Sequence, residues 1–139
     1  MSSEMQIRKF EQTDFQALTN FWKQTFPDEP AHNRPDLVIA EKLQHDDLVF
    51  VAHQNNELVG ACMAGYDGHR GWLYTVAVHP QQRRQGIGRA LVAHALAELK
   101  SMRCVKINLQ VRASNANAVK FYQALGFSTE ERISMGKLL

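Results

Sequence analysis

The sequence predicts an α/β (α+β) domain in which a mixed, mostly antiparallel sheet is flanked by helices. Three observations predict it. Residues 48–78 hold three apolar runs separated only by turn chemistry, the pattern of an antiparallel meander. The third run leads through a glycine-rich turn into a helical apolar stripe over 86–99 and then into an alternating run over 105–111, which is the order of a right-handed crossover between two parallel strands. A chain of 139 residues with 45% hydrophobic content suits one compact core, so 1–139 is expected to be a single domain.

The elements follow in order. Residues 5–10 alternate as a strand, and Thr13-Asp14 offers an N-cap before Phe15, Leu18, Phe21 and Trp22, which recur at helical spacing. Pro27, Pro30 and Pro35 break the chain into a loop, after which 36–43 reads as a short helix. Strands at 48–53 and 58–66 flank Gln54-Asn55-Asn56-Glu57, a hairpin turn, and Asp67-Gly68 turns the chain into the third meander strand at 71–78. In the next helix Ile87, Leu91, Val92, Ala95 and Leu99 share one stripe, leaving Arg89, His94, Glu98 and Lys100 for the wet face. The strand at 105–111 points Val105, Ile107, Leu109 and Val111 inward and Lys106, Asn108 and Gln110 outward. Ser114-Asn115 caps a last helix carrying Ala118, Phe121, Tyr122 and Leu125, which Gly126 stops; Phe127 and residues 133–139 supply one or two closing strands. The count is about six to seven strands and about four helices.

Composition narrows the function. Sixteen basic and fourteen acidic side chains leave a net charge of +2, too little for a global field that attracts nucleic acid. Cys62 and Cys104 stand far apart in apolar stretches and read as reduced core thiols of a cytoplasmic protein. No apolar run approaches the roughly 18 residues of a membrane span, and Met1-Ser2-Ser3-Glu4 opens no signal peptide. The six histidines lack metal-site spacing, so no metal is expected.

The turn Arg83-Arg84-Gln85-Gly86-Ile87-Gly88-Arg89 is the most informative segment. Backbone N–H groups at a helix start lack intrahelical partners, the helix dipole adds positive charge there, and glycines admit close approach, so the segment suits a pyrophosphate. A Walker loop requires Lys-Ser/Thr after the second glycine, but Arg89-Ala90 follows; a dinucleotide fingerprint requires a third glycine and a strand that opens a βαβ unit. Nucleotide hydrolysis and hydride transfer are therefore disfavoured.

These residues resemble the GNAT superfamily of N-acetyltransferases, whose acetyl-CoA motif [QR]-x-x-G-x-[GA] fits residues 83–88. A second signature of that family is matched by Asn115, Ala118, Phe121-Tyr122 and Gly126-Phe127. The order of elements matches over nearly the whole chain. Residues 65–71 and 134–138 further resemble the small bacterial YpeA-type acetyltransferases.

The resemblance implies a GNAT-like sheet splayed between its fourth and fifth strands, with the pantetheine arm of acetyl-CoA in the gap, paired with the backbone of Val76 and Val78. It implies that the amides of Arg84, Gln85, Gly86, Ile87, Gly88 and Arg89 cradle the pyrophosphate, with Arg83 and Arg84 pairing phosphate charge, and that the Val76 N–H faces the acetyl oxyanion. A neutral amine then attacks the thioester, and Tyr122 supplies a proton or hydrogen bond to the leaving sulfur. Asn115 is assigned both a helix cap and a place near the cofactor. Many relatives carry a glutamate in the meander, whereas 71–78 holds no carboxylate; His79, Asp67, His69 and Tyr74 are the candidate bases, or a water relay takes that role. The first two helices, the proline-rich loop with Asp28, Glu29 and Asp36, and the turn at 67–71 are expected to select the acceptor.

The expected activity is transfer of acetyl to a primary amine on a small molecule, a peptide or a lysine, with a homodimer as an open option and neither nucleic acid nor membrane as partner. The competing expectations are a non-catalytic acyl-CoA sensor, motivated by the missing carboxylate, and a nucleotide-binding interaction domain that rests on the Gly-x-Gly turn alone.

Overall fold

A computed structural model describes residues 4–28 and 30–139. Glu29 and the N-terminal Met1, Ser2 and Ser3 lie outside the described residues. One five-stranded sheet runs β1 (Met5–Lys9), β2 (Val49–Gln54), β3 (Glu57–Tyr66), β4 (Gly71–Val78), β5 (Ile107–Leu109), with spatial order equal to chain order. The first four strands are antiparallel neighbours and β4 to β5 is the parallel pair. Four helices, α1 (Phe15–Thr25), α2 (Pro35–His45), α3 (Ile87–Ser101) and α4 (Ala116–Ala124), complete the mixed α/β class that the patterning predicts.

Alternation along each strand sorts the side chains into two cores. On one face Leu18, Phe21 and Trp22 of α1 and Ile39 of α2 pack with Val49, Val51, Ala61, Met63 and Ala77. On the other, Ile87, Leu91, Val92, Ala95 and Leu99 of α3 pack with Phe50, Ala52, Cys62, Ala64 and Leu73, and α4 adds half-buried Phe121, Tyr122 and Leu125. The hairpin between β2 and β3 turns on Asn55 and Asn56, both at positive φ (55° and 63°), which matches the twist of the strands and which asparagine tolerates.

Three expectations are corrected. Asp14 stands at the N-cap position of α1 but makes no side-chain cap bond. Its carboxylate instead accepts both Arg8 guanidinium nitrogens at 2.7 and 3.0 Å and the Glu11 N–H at 2.8 Å, a use the local pattern could not show because Arg8 lies on the preceding strand. The strand expected at 105–111 shrinks to Ile107–Leu109, and Val105 is 89% exposed rather than inward, since the chain reaches β5 through a left-handed residue at Arg103 (φ 71°). Finally, the closing strands do not form: Phe127 packs on the α3-side core, but no strand follows, so five strands stand among the described residues where six to seven were expected. Helices already cover both apolar faces, and the tail meets the body through polar contacts: Glu130 with Lys106 and Asn108, Ser134 with Gln110.

Asp14 is 5% exposed and ties β1 to the start of α1. Burial pushes its carboxyl up, but the Arg8 hydrogen bond, the Glu11 amide and the charges of Arg8 and His53 together hold it below the ordinary carboxylate value. The pair therefore stabilises the fold above the unfolded-state value of about 4 and is lost as pH falls through the lower folded value. Asp14→Asn should lower unfolding stability at neutral pH by about 2–3 kcal/mol and give a flatter acid limb in urea melts. An unchanged acid limb contradicts this assignment.

Candidate active site

The site begins with an irregularity in β4. Met63 pairs with Thr75 and Ala64 with Leu73, which leaves Tyr74 as an extra residue, a β-bulge. The pairing with β5 covers only Gly71, Trp72 and Leu73 and stops at the same point. Before the bulge, Leu73 joins the α3-side core; after it, Val76 and Val78 join that core and Ala77 the opposite one, so the bulge has exchanged odd for even positions. In a strand of L-residues, side-chain face and the direction of the N–H and C=O go together. The Gly71 N–H, of Leu73's parity, donates across to Lys106 O at 2.9 Å. The N–H and C=O groups of Val76 and Val78 therefore point to the β5 side, where no strand pairs with them. The strand pair is splayed from Tyr74 onward, as expected.

The turn between β4 and α3 supplies more unpaired donors. Arg84 (φ 68°) and Gly86 (φ 80°, the N-cap of α3) both take left-handed conformations, and alternation of this kind turns successive amides into one concavity. Among the described residues, the first amide of this stretch with a backbone partner is Ala90, which donates to Gly86 O at 3.0 Å; those of Arg84 to Arg89 have no backbone acceptor. Ile87 is buried in the core and fixes the helix start. At Gly88 an added Cβ meets Phe121 Cζ at 3.2 Å and Val78 Cγ2 at 3.5 Å, so the glycine lets α4 close on the turn. Arg84, Gln85 and Arg89 are exposed. Arg83 folds back, its Nε 3.4 Å from Val78 O. The donors, the N-terminus of a 15-residue helix and three exposed arginines fit an anionic diphosphate.

Helix α4 brings up the second motif. Asn115 Oδ1 accepts the Ala118 N–H at 3.1 Å, the cap expected of it. Tyr122 is half-buried between Phe121 and Phe127, edge-to-face at 5.0 and 5.7 Å. Burial, aided by the nearby Cys62 thiol, pushes its phenol up to about 12. Cys62 stands opposite Val76 in the β3–β4 ladder, so Tyr122 lies beside the open half of β4. Its phenol stays protonated at any physiological pH.

The four candidate bases fare differently. Asp67 Oδ1 accepts the His69 and Arg70 N–H groups at 2.8 and 2.7 Å, bonds that hold its carboxyl below the usual range and build the turn. His79 Nδ1 accepts the Gln81 N–H at 3.2 Å. His69 is exposed at the turn. Tyr74 is 58% exposed at the bulge under Lys42, whose Nζ lies 5.6 Å from the ring centroid; burial and the charges of Asp46 and Asp67 push its phenol up. Of the acidic residues near the proline-rich loop, Asp36 is held by Arg34 at 2.8 and 2.9 Å, Asp28 is exposed, and Glu29 is not described. That loop borders a cavity of about 380 Å³ lined by Lys23, Phe26, Pro27, Pro30, Ala31, Arg34 and Pro35.

The sequence reading missed the bulge. Its one signal is Gly65 within a strand, where an added Cβ meets the Tyr74 ring at 2.7 Å; glycine inside a strand marks a bulge or close approach. Among the described residues no cluster of His, Cys, Asp and Glu could hold a metal ion, and no helix is long and apolar enough to cross a membrane.

Known proteins share this fold. The acetyltransferase (GNAT) family matches residues 14–127. An acetyltransferase of Pectobacterium atrosepticum is 42% identical over 136 residues, covering 97% of this chain and 96% of its own, and one of Sodalis glossinidius is 39% identical over 137 residues with the same coverage. Among solved structures, an aminoglycoside N-acetyltransferase in complex with CoA superposes with a TM-score of 0.85 at 24% identity, covering 99% of this chain and 97% of its own. The ribosomal-protein-S18-alanine N-acetyltransferase of Escherichia coli superposes at 0.79 with 29% identity, covering 90% and 78%. With the splayed fourth strand and the glycine turn in place, the chain belongs to the GNAT family of acetyltransferases.

Proposed function

We propose that this acetyltransferase moves the acetyl group of acetyl-CoA to the primary amine of a small molecule or peptide by direct attack. The observation that carries the reading is the set of unpaired backbone donors on the open half of β4 and in the turn before α3. In the reaction the neutral amine nitrogen forms a bond to the acetyl carbon, the carbon–sulfur bond breaks, and the proton lost from nitrogen passes to the departing thiolate, directly or through water, so that CoA leaves as its thiol. The Val76 N–H holds the developing oxyanion. The Val76 and Val78 backbone orients the pantetheine amides, and residues 84–89 hold the diphosphate with Arg83, Arg84 and Arg89 around it. Asn115 keeps α4 in register beside them.

Tyr122 serves the leaving sulfur as a hydrogen-bond donor. A phenol at about 12 does not hand its proton to a thiolate whose ordinary value is about 8.5, but it stabilises that thiolate in place. With no carboxylate on β4, the amine must reach the site already neutral. That favours α-amino groups, at about 7.7–8.0, over lysine side chains, at about 10.4; the neutral fraction at neutral pH differs by roughly 300-fold. A peptide or amino-acid α-amine suits this site, and the S18-alanine enzyme, similar in fold, carries the same acceptor type in its name. Two free thiols, Cys62 and Cys104, support a cytoplasmic setting.

CoA release is the test, measured across α-amines, polyamines, aminoglycosides and lysine peptides. Tyr122→Phe should lower the rate on the order of 10²-fold with acetyl-CoA binding intact. An unaltered rate removes Tyr122 from the chemistry, and acetyl-CoA binding with no turnover on any acceptor supports the sensor reading instead. The kcat/KM profile should rise with deprotonation of the acceptor and show no descending limb short of about 12, because Tyr122 remains protonated to there. Gly86→Asp strains a left-handed position by about 1–2 kcal/mol and sets a carboxylate against the phosphates. Acetyl-CoA should then no longer raise the melting temperature of a chain that keeps its helical circular dichroism; retained stabilisation places the cradle elsewhere.

A further inference from the structure

Tyr74 is a large aromatic side chain left 58% exposed at the point where β4 and β5 part, and three features hold it there. The bulge sets it on the strand. Gly65 lies beneath its ring, which a Cβ would meet at 2.7 Å. Above it stands the Lys42 ammonium, 5.6 Å from the ring centroid. That ammonium is itself fixed, since it donates to the two oxygens of Asp46 at 2.7 and 2.8 Å, and Asp46 also accepts the Leu48 N–H at 2.9 Å. Packing alone favours a ring turned inward. Here the ring is clamped while its hydroxyl faces solvent, with no hydrogen-bond partner among the described residues.

The ring also lies on the face that an acceptor must use. Lys42 reaches it from α2, and Gly65 has the parity of Ala61 and Met63, so Tyr74 stands on the α1–α2 side of the sheet. On the other side α4 closes over the region through Phe121, which abuts Gly88, and Tyr122. Tyr74 precedes Val76 by two residues, about 6–7 Å along the strand, a span that a tyrosine side chain covers.

Chemistry narrows what the hydroxyl can take. Burial and the charges of Asp46 and Asp67 keep the phenol protonated, so it is a neutral donor. In an α-amine the carbon that bears the nitrogen also bears a carbonyl, the acceptor nearest to the reacting atom. That carbonyl belongs to an uncharged amide in a peptide and to a carboxylate in a free amino acid. Two aspartate charges acting at the phenol repel the carboxylate and leave the amide unopposed.

We propose that Tyr74 binds the acceptor: its hydroxyl donates to the carbonyl oxygen beside the attacking α-amine, and the substrate class is the amino terminus of a peptide or an amino-acid amide, with free amino acids excluded. The assignment rests on the acetyl-transfer reading above and adds the acceptor's class to it.

The test measures CoA release from acetyl-CoA with alanine amide, alanine and isopropylamine, which share a skeleton and differ in the group beside the amine. Each acceptor is compared between the unaltered chain and Tyr74→Phe, so that its own basicity cancels. The KM for alanine amide should rise about 5–10-fold with kcat changed less than about twofold, as expected when a ground-state hydrogen bond is lost. The same comparison for isopropylamine should stay near unity. Asp67→Asn keeps an oxygen able to build the turn and should raise kcat/KM for alanine by about 2–5-fold relative to alanine amide.

A fall in kcat shared by all acceptors makes Tyr74 part of the proton chemistry and overturns the proposal. Equal KM changes for alanine amide and isopropylamine overturn it as well, and so does turnover confined to amines with no carbonyl beside the nitrogen. An alanine-to-amide ratio that Asp67→Asn does not move overturns the exclusion of free amino acids. In all these cases the acetyl-transfer reading stands. No turnover on any amine, in a chain whose melting temperature acetyl-CoA raises, overturns that reading and this proposal with it.

Discussion

The extra residue at Tyr74 in β4 is the constraint on which the rest of the structure turns. Upstream of it β4 is an ordinary inner strand, paired on both sides through Gly71, Trp72 and Leu73. Downstream it keeps β3 and loses β5. A bulge bends the strand that carries it and exchanges its odd and even positions, so the divergence of β5 and the redirection of the Val76 and Val78 amides are one event. Without the exchange, those amides would lie in the β3 ladder and the gap would be lined by Thr75 and Ala77 instead. Gly65 accommodates the bulge, since a Cβ there would stand 2.7 Å from the Tyr74 ring and the ring would have to shift.

On the proposed reading, recognition of acetyl-CoA is carried by the main chain. Donors fixed in a strand and in a helix start need no side-chain ordering on binding, and they sit against cores that hold them: Val76 and Val78 on the α3 side, Ile87 fully buried beneath the turn. Side chains at the same positions are then free to serve packing. On the proposed reading the valines and Ile87 carry two roles without conflict, since their side chains pack in the core while their main chain meets the cofactor. Gly88 adds the remaining link, because its missing Cβ admits Phe121 and so draws α4, with Tyr122, onto the same region.

Much of this was legible in the chain. The hydrophobic stripe from Ile87 to Leu99 and the meander over 48–78 reflect burial periodicity that no tertiary contact had to override, and Gly86 and Asn115 are where local conformational needs select a residue type. What the sequence hid are long-range pairings. Asp14 has the look of a helix cap, yet a guanidinium on the neighbouring strand outcompetes the helix for its oxygens. Val105 alternates in step with Ile107 and Leu109, yet β5 is too short to enrol it. The bulge itself leaves no trace in β4, where Tyr74 and Thr75 are both good strand residues; only the partner strand's Gly65 hints at it.

The shortness of β5 ties these features together. A parallel strand held by three residue pairs is a weak neighbour, and every further residue of pairing with β4 would close the gap that exposes Val76 and Val78. The wall must stay apart from β4 and still be held in place. Within the chain it is held from behind, by Glu130 and Ser134 on the outward side chains of Lys106, Asn108 and Gln110. These are exposed polar contacts, each worth little against solvent. The gap is therefore kept open by how little of β5 pairs with β4, while Ile107 and Leu109, packed on the α3-side core, keep the wall in place.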